Sequence, residues 1–184
     1  MEGPQAPGRT ALPVRAASAD ELERLAAIER HADQRFREQY PGLLPDGDSV
    51  LPLEALQAAC SRGLLWVVED ENELAGFACA RPVGSGGRWL LLEQLSVTPR
   101  FGRLGLGGAL LRRVQQEAVS RGLEGVALRT FEEVPWNAPW YRRHGFYELV
   151  PGEAPLLHEE EDAERRAGLA LERRVAMAWR SPSA

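Results

Sequence analysis

The stretch Trp89 to Val114, WLLLEQLSVTPRFGRLGLGGALLRRV, constrains this chain more than any other. An apolar run, Leu90, Leu91, Leu92, Leu95 and Val97, ends at Thr98-Pro99. Gly105, Gly107 and Gly108 follow, and an amphipathic, helix-forming tract begins among them. Strand, glycine-rich turn and helix in that order have a physical use. Glycines clear side chains away, so that the unpaired backbone N–H groups at a helix start face outward. The helix dipole adds roughly half a positive charge at that end. The order predicts an anion cradle, and phosphates are the usual guests of such a turn.

Three phosphate cradles can be compared. A nucleoside-triphosphate loop of the form GxxxxGK(S/T) uses its Lys to reach the terminal phosphates. The chain contains no lysine, which excludes that class. A dinucleotide turn, GxGxxG, opens a βαβ unit. Gly105 and Gly107 supply its first two glycines, but Leu110 stands at the third, about 100 residues into the chain. The third cradle fits. VTPRFGRLGLGGALL resembles the pyrophosphate-binding turn of the GNAT acetyltransferase superfamily, which holds acetyl-coenzyme A. There an apolar strand ends in V-x-P, a (Q/R)-x-x-G-x-(G/A) turn follows, and a Leu-rich helix begins inside it. Val97, Pro99, Gly105, Gly107, Leu110 and Leu111 fall into place. Gly102 occupies the Gln/Arg position, with Arg103 one residue late, which is a departure from the pattern. The resemblance implies that Leu95, Val97, Gly102, Arg103, Leu104, Gly105, Leu106, Gly107 and Gly108 contact the coenzyme. Close packing of the helix on the sheet is the other use such glycines have.

A second patch, FEEVPWNAPWYRRHGFYEL at 131–149, carries the same resemblance. The family's segment after the fifth strand ends Y-x-x-x-G-F, and Tyr141 to Phe146 matches it. The VPWN-x-P-x-Y arrangement is similar to one bacterial branch of the superfamily. Together the two patches span Leu92 to Phe146, roughly a third of the chain. The resemblance implies that Tyr141 contacts the coenzyme near its sulfur and acts on the departing thiolate as general acid or hydrogen-bond donor, which a phenol of pKa ~10 can do. A half-buried helix aromatic is the alternative. Glu93 interrupts the apolar strand and is the candidate general base, acting through water on the amine. A simple surface or paired carboxylate would look the same. Asn137 either bonds the coenzyme's pantetheine arm or caps the following helix. His31 and His144 lack companions for a triad and read as structural or surface residues. Arg100, Arg103, Arg112 and Arg113 cluster near the cradle, where some can meet phosphates.

The remaining composition bounds the rest. At 184 residues a single domain is expected, 11–184, with a Pro/Gly-rich tail at 1–10. A net charge of −5 disfavours nucleic-acid partners. All 22 basic residues are Arg, which reflects a GC-rich coding sequence. Neither an 18-residue apolar run nor a basic-then-apolar leader is present, so no membrane partner and a cytoplasmic location are expected. Cys60 and Cys79 have no metal-ligand spacing and read as buried thiols in a reducing compartment. No metal is expected.

Periodicity predicts a short edge strand at Leu12–Ala17, then a helix toward Phe36 capped by Ser18 or Asp20. A helix at Leu53–Cys60 comes next, followed by strands at Leu64–Glu69, Leu74–Arg81, Trp89–Val97 and Val126–Thr130. A helical tract at Ala138–Arg143 and strands at Phe146–Val150 and Leu171–Trp179 complete the pattern. HEEEDAERR, 158–166, reads as a solvated helix or loop. The expected class is α/β (α+β): a central, mostly antiparallel mixed sheet flanked by helices, of the GNAT-like acyl-CoA N-acyltransferase type. The expected function is acetyl-CoA-dependent N-acetyl transfer, made directly to an amine in a ternary complex. A non-catalytic acyl-CoA-binding sensor is the alternative. The expected acceptor is a small molecule rather than a protein N-terminus or lysine, and the expected state is monomer or homodimer. His31 to Leu53, with Phe36, Arg37 and Tyr40, can form a lid, and Glu29, Glu38, Asp46 and Asp48 would favour a cationic acceptor.

Overall fold

The computed structural model describes residues 12–47, 50–70, 73–150 and 157–182; the tail expected at 1–10 and Asp48 lie outside them. Seven strands are found among the described residues: β1 (Val14–Ala16), β2 (Leu65–Asp70), β3 (Glu73–Val83), β4 (Trp89–Val97), β5 (Gly125–Phe131), β6 (Tyr147–Glu148) and β7 (Arg174–Arg180). They form one sheet in the order β1-β2-β3-β4-β5-β7-β6. Every pairing is antiparallel except that of β4 with β5. The helices are α1 (Leu22–Gln39), α2 (Leu53–Ser61), α3 (Leu106–Ser120), α4 (Ala138–Arg143) and α5 (His158–Arg166).

The continuous apolar run of β4 reflects its central position, because both faces are covered. Leu90 and Leu92 join the main core with Leu110, Leu111 and Val114 of α3. Trp89 and Leu91 belong to the other face, where they pack with Ala127, Ala178 and Leu157, the residue just before α5. Arg81, Leu91, Ala127 and Ala178 are Cα partners in one row across four strands, so they share that second face. Two pairs further along it, Phe131 meets Phe36 of α1 with ring centroids 5.8 Å apart. Helix α3 therefore covers one side of the sheet, and α1 and α5 cover the other.

Two irregularities in β4 open the middle of the sheet. The β3–β4 register jumps from Cys79 opposite Gln94 to Ala80 opposite Leu92, leaving Glu93 as the extra residue of a bulge. The parallel pairing of β4 with β5 lasts only from Trp89–Gly125 to Leu91–Ala127. Beyond it the strands part, while β5 stays paired with β7 as far as Phe131. Gly125 stands at the closed end of this short seam, opposite Trp89. A Cβ there would lie 2.8 Å from the Trp89 ring and closer still to the carbonyl oxygen of Trp179.

Three expectations change. The last strand begins at Arg174, because Leu171–Arg173 form a 3-10 turn. The strand expected at Phe146–Val150 shortens to Tyr147–Glu148. The charge run 158–166 is a helix, and it is not simply solvated. Its Glu160 and Glu164 reach down to arginines of the sheet, Arg81 and the pair Arg129 and Arg174.

Candidate functional site

At the end of β4, Pro99–Phe101 form a 3-10 turn that closes with Gly102 N–H donating to Pro99 O. A Cβ on Gly102 would lie 3.0 Å from that same carbonyl oxygen, a tight contact that glycine avoids where the family pattern has Gln or Arg. Arg103 then adopts φ +63°, a left-handed conformation unusual for a residue with a side chain. Gly105, at φ +78°, precedes the first turn of α3 and has no side chain to cap it. Among the described residues, no backbone amide from Arg103 through Gly108 donates a hydrogen bond to the main chain. The helix itself leaves its first amides unpaired, and the exposed turn before it adds more. This is a concentrated set of donors at the positive end of a helix, and it suits a pyrophosphate.

The glycines also pack closely. A Cβ on Gly107 would touch Leu95 at 3.6 Å and Trp140 at 3.7 Å, and one on Gly108 would lie 3.4 Å from His144. Both uses of these glycines thus coexist, with α4 seated against the start of α3. Of the four arginines near the cradle, Arg100 pairs with Glu73 at 2.5 Å. Arg113 pairs with Glu117 at 2.8 Å and lies over the Trp66 ring. Arg103 and Arg112 make no ion pair among the described residues, and Arg112 borders Gly108.

Helix α4 carries the second patch. Asn137 accepts the Trp140 and Tyr141 amides on its backbone oxygen, while its side chain caps nothing. The capping alternative therefore fails, and the carboxamide is left for other work. Tyr141 is buried, with its ring 5.0 Å from Trp140 and 5.4 Å from Phe146. Burial pushes its phenol well above the ordinary range, against a weaker pull from Arg174. The phenol is thus held protonated, as a donor must be. His144 is structural: it stacks on Trp140, and its Nδ1 lies 2.9 Å from the Trp140 oxygen.

Glu93 points to the opposite side from α3. Its Oε1 accepts from Arg81 Nε at 2.8 Å, and Cys79 Sγ lies 3.8 Å from its Oε2. Burial raises the Glu93 carboxyl above its ordinary value, with the Arg81 charge opposing that rise. Burial and the neighbouring Glu93 also raise the Cys79 thiol, so it is not a nucleophile. Cys60 is only half-buried, contrary to expectation. Glu93 and Tyr141 share no hydrogen bond.

Other side chains named from the sequence are engaged in packing. Phe36 and Tyr40 edge onto Trp136 at 5.4 and 5.6 Å, forming a small core with Leu43 and Phe131. Arg37 donates to the carbonyls of Pro45 and Gly47. Glu29 is buried and accepts the Leu51 amide at 3.1 Å. Sequence reading missed Arg81, whose only local signal is a charge inside an otherwise apolar strand. It also missed the partners of α5. No group of three or more His, Cys, Asp or Glu among the described residues could hold a metal ion. No helix among them is long and apolar enough to cross a membrane.

A family model described as the acetyltransferase (GNAT) family matches residues 26–146. Among solved structures, N-acetylglutamate synthase from Neisseria gonorrhoeae, complexed with coenzyme A and N-acetyl-glutamate, matches with a TM-score of 0.70 and 18% identity. The match covers 94% of this chain and 36% of the synthase, so the chain spans about a third of that protein. The PaiA N-acetyltransferase of Thermoplasma acidophilum, in complex with coenzyme A, matches at 0.65 and 16% identity over 93% of this chain and 99% of its own. The ribosomal-protein-S18-alanine N-acetyltransferase of Escherichia coli matches at 0.61 and 19% identity over 94% and 95%.

Proposed function

The chain belongs to the acetyltransferase (GNAT) family, and on that premise we propose that it moves an acetyl group from acetyl-coenzyme A directly to an amine, with 11–184 as one transferase domain. The observation that carries this reading is the run of free amides from Arg103 to Gly108, set beside a sheet that splays after Leu91. The amides would hold the pyrophosphate, with Arg103 and Arg112 adding charge. Leu95 and Val97 on β4 and Asn137 before α4 would line the path of the pantetheine arm. Bound there, the co-substrate supplies an activated thioester.

The chain's own residues then have two protons to handle. Glu93, raised by burial and so a stronger base than a free carboxylate, takes a proton from the amine through water. Tyr141, kept neutral by burial, gives its proton to the departing thiolate. Cys79 stays a thiol, which favours direct transfer over an acyl-enzyme. Holding amine and thioester together supplies much of the rate. The acceptor we propose is a small amine-bearing molecule.

The test is release of free thiol from acetyl-coenzyme A across a panel of amines, with mass-spectrometric detection of the acetylated product. Amine-dependent thiol release matched by product is expected. Tight acetyl-coenzyme A binding without amine-dependent release would overturn transfer and leave a binding module.

A further inference from the structure

The three acidic residues of α5 that reach the sheet do not pair at random. Glu160 meets Arg81 of β3. Glu164 meets Arg129 of β5 and Arg174 of β7 at 2.8 and 2.7 Å, and Glu161 approaches Arg129 at 3.6 Å. The second set is closed upon itself, because Arg129, Arg174 and Glu164 side chains are all 9–12% exposed. The first set is open. Arg81 has two carboxylate partners, and the other one is Glu93 through Nε. Arg81 is thus shared between a residue of the site and a residue of the helix that covers this face.

We infer that Arg81 is a positioning residue for Glu93 and that α5, through Glu160, sets how much of the Arg81 charge reaches Glu93. This rests on the reading of Glu93 as the general base. Geometry supports it in three ways. Glu93 is the bulge residue of β4, with no residue opposite it to fix its backbone, so Arg81 is what orients the carboxylate. The Nε–H contact leaves one face of the carboxylate directed at the Cys79 thiol, a weak donor that cannot compete. Nη2, which beside Nε would complete a two-pronged grip on Glu93 and hold it as an unreactive ion pair, is drawn to Glu160 instead. The charged and titratable groups around Glu93 are Cys79 and Arg81 on β3, Glu160 on α5 and, buried on α1 beyond Cys79, Glu29.

The two variants that test the sharing act in opposite directions. Arg81→Gln removes the cation, so the acidic limb of the kcat/KM profile moves to higher pH. Glu160→Gln keeps a hydrogen-bonding side chain beside Arg81 but removes its negative charge, so Arg81 acts wholly on Glu93 and the limb moves to lower pH. On the limb at fixed pH, each change is about threefold or more in rate, with opposite signs. Arg81→Lys restores a cation, so the limb moves back toward the wild-type position, but only part of the way, because a single ammonium cannot serve both carboxylates. An acceptor of low amine pKa removes the amine's own titration from the profile. In Glu93→Gln the limb disappears, and the Arg81 and Glu160 substitutions then move nothing. If Glu93→Gln keeps the limb, the base assignment itself is wrong. If Glu93→Gln removes the limb but the other two variants leave it in place or shift it the same way, the sharing of Arg81 is overturned. Circular dichroism and denaturant unfolding of each variant separate loss of fold from loss of tuning.

Discussion

On one side of the sheet, at the start of α3, the protein presents main-chain amides that donate to nothing. On the other side, under α5, arginines from three strands each have a carboxylate partner. The first region is built from backbone conformation and the absence of side chains. The second is built from long side chains that meet across great sequence distances. The contrast teaches what each is suited to. Free amides at a helix start can accept an anion from outside at no cost in broken contacts. A paired arginine can serve the site only through the partner it already has, so it tunes rather than binds.

The largest effect that separates the regions is expected at Gly107. The fold has room for a Cβ there, which would make only ordinary contacts of 3.6–3.7 Å with Leu95 and Trp140. Gly107→Glu should leave the unfolding midpoint nearly unchanged yet weaken acetyl-coenzyme A binding by on the order of 10³-fold, about 4 kcal/mol in calorimetry. Binding as tight as wild type would remove the cradle from its assigned place. The reverse pattern is expected under α5. Glu164→Ala removes the carboxylate partner of Arg174 and the nearer of the two that Arg129 has, both arginines being almost wholly buried, and should cost about 3 kcal/mol in denaturant unfolding. Its coenzyme affinity should hold. A stability change within 0.5 kcal/mol, roughly the range of surface substitutions, would show that the pairing is superficial.

Tyr141→Phe should lower turnover about 10²-fold while leaving coenzyme affinity nearly intact. Its hydroxyl has no hydrogen-bond partner among the described residues, so stability should change little. Equal losses in turnover and affinity would make the tyrosine a packing residue. Smallest is Arg103→Gly. Removing a side chain from a φ of +63° relieves strain, and the folded protein should gain up to about 1 kcal/mol. The same change removes one cation from the cradle, so the salt dependence of coenzyme binding should become shallower. Lower stability would mean that the Arg103 side chain holds the turn.

The two regions also differ in how far the sequence reveals them. Gly105, Gly107 and Gly108 lie within a few residues of one another, so their spacing is enough to predict an anion cradle, and the Tyr141-to-Phe146 motif is equally local. The reason for Gly102 is not legible there, because it lies in a contact with the Pro99 carbonyl that only the folded turn creates. Asn137 cannot be settled from its neighbours, since a residue before a helix caps with its side chain or with its backbone alone. The role of 158–166 is hidden for a different reason. Arg81 and Glu160 are 79 positions apart and Arg129 and Glu164 are 35 apart, and a run of charges seen alone is indistinguishable from a solvated face. Glu93 stands out as a charge in an apolar strand, but the bulge that frees it comes from the β3 register.

The short parallel seam of β4 and β5 has a consequence for how the protein breathes. Three residue pairs are all that join β1–β4 to β5–β7 within the sheet. Helices fasten the halves from outside the sheet: α3 packs on β2, β3 and β4 in one half and on β5 in the other, and α5 pairs with Arg81 in one half and with Arg129 and Arg174 in the other. Local opening should therefore divide along this line, with amides of Glu93 to Val97 exchanging with solvent sooner than those of β3, which is laddered on both edges. Whatever occupies the gap becomes a second fastening. A bound occupant should slow exchange on both flanking strands together, far beyond the atoms it touches.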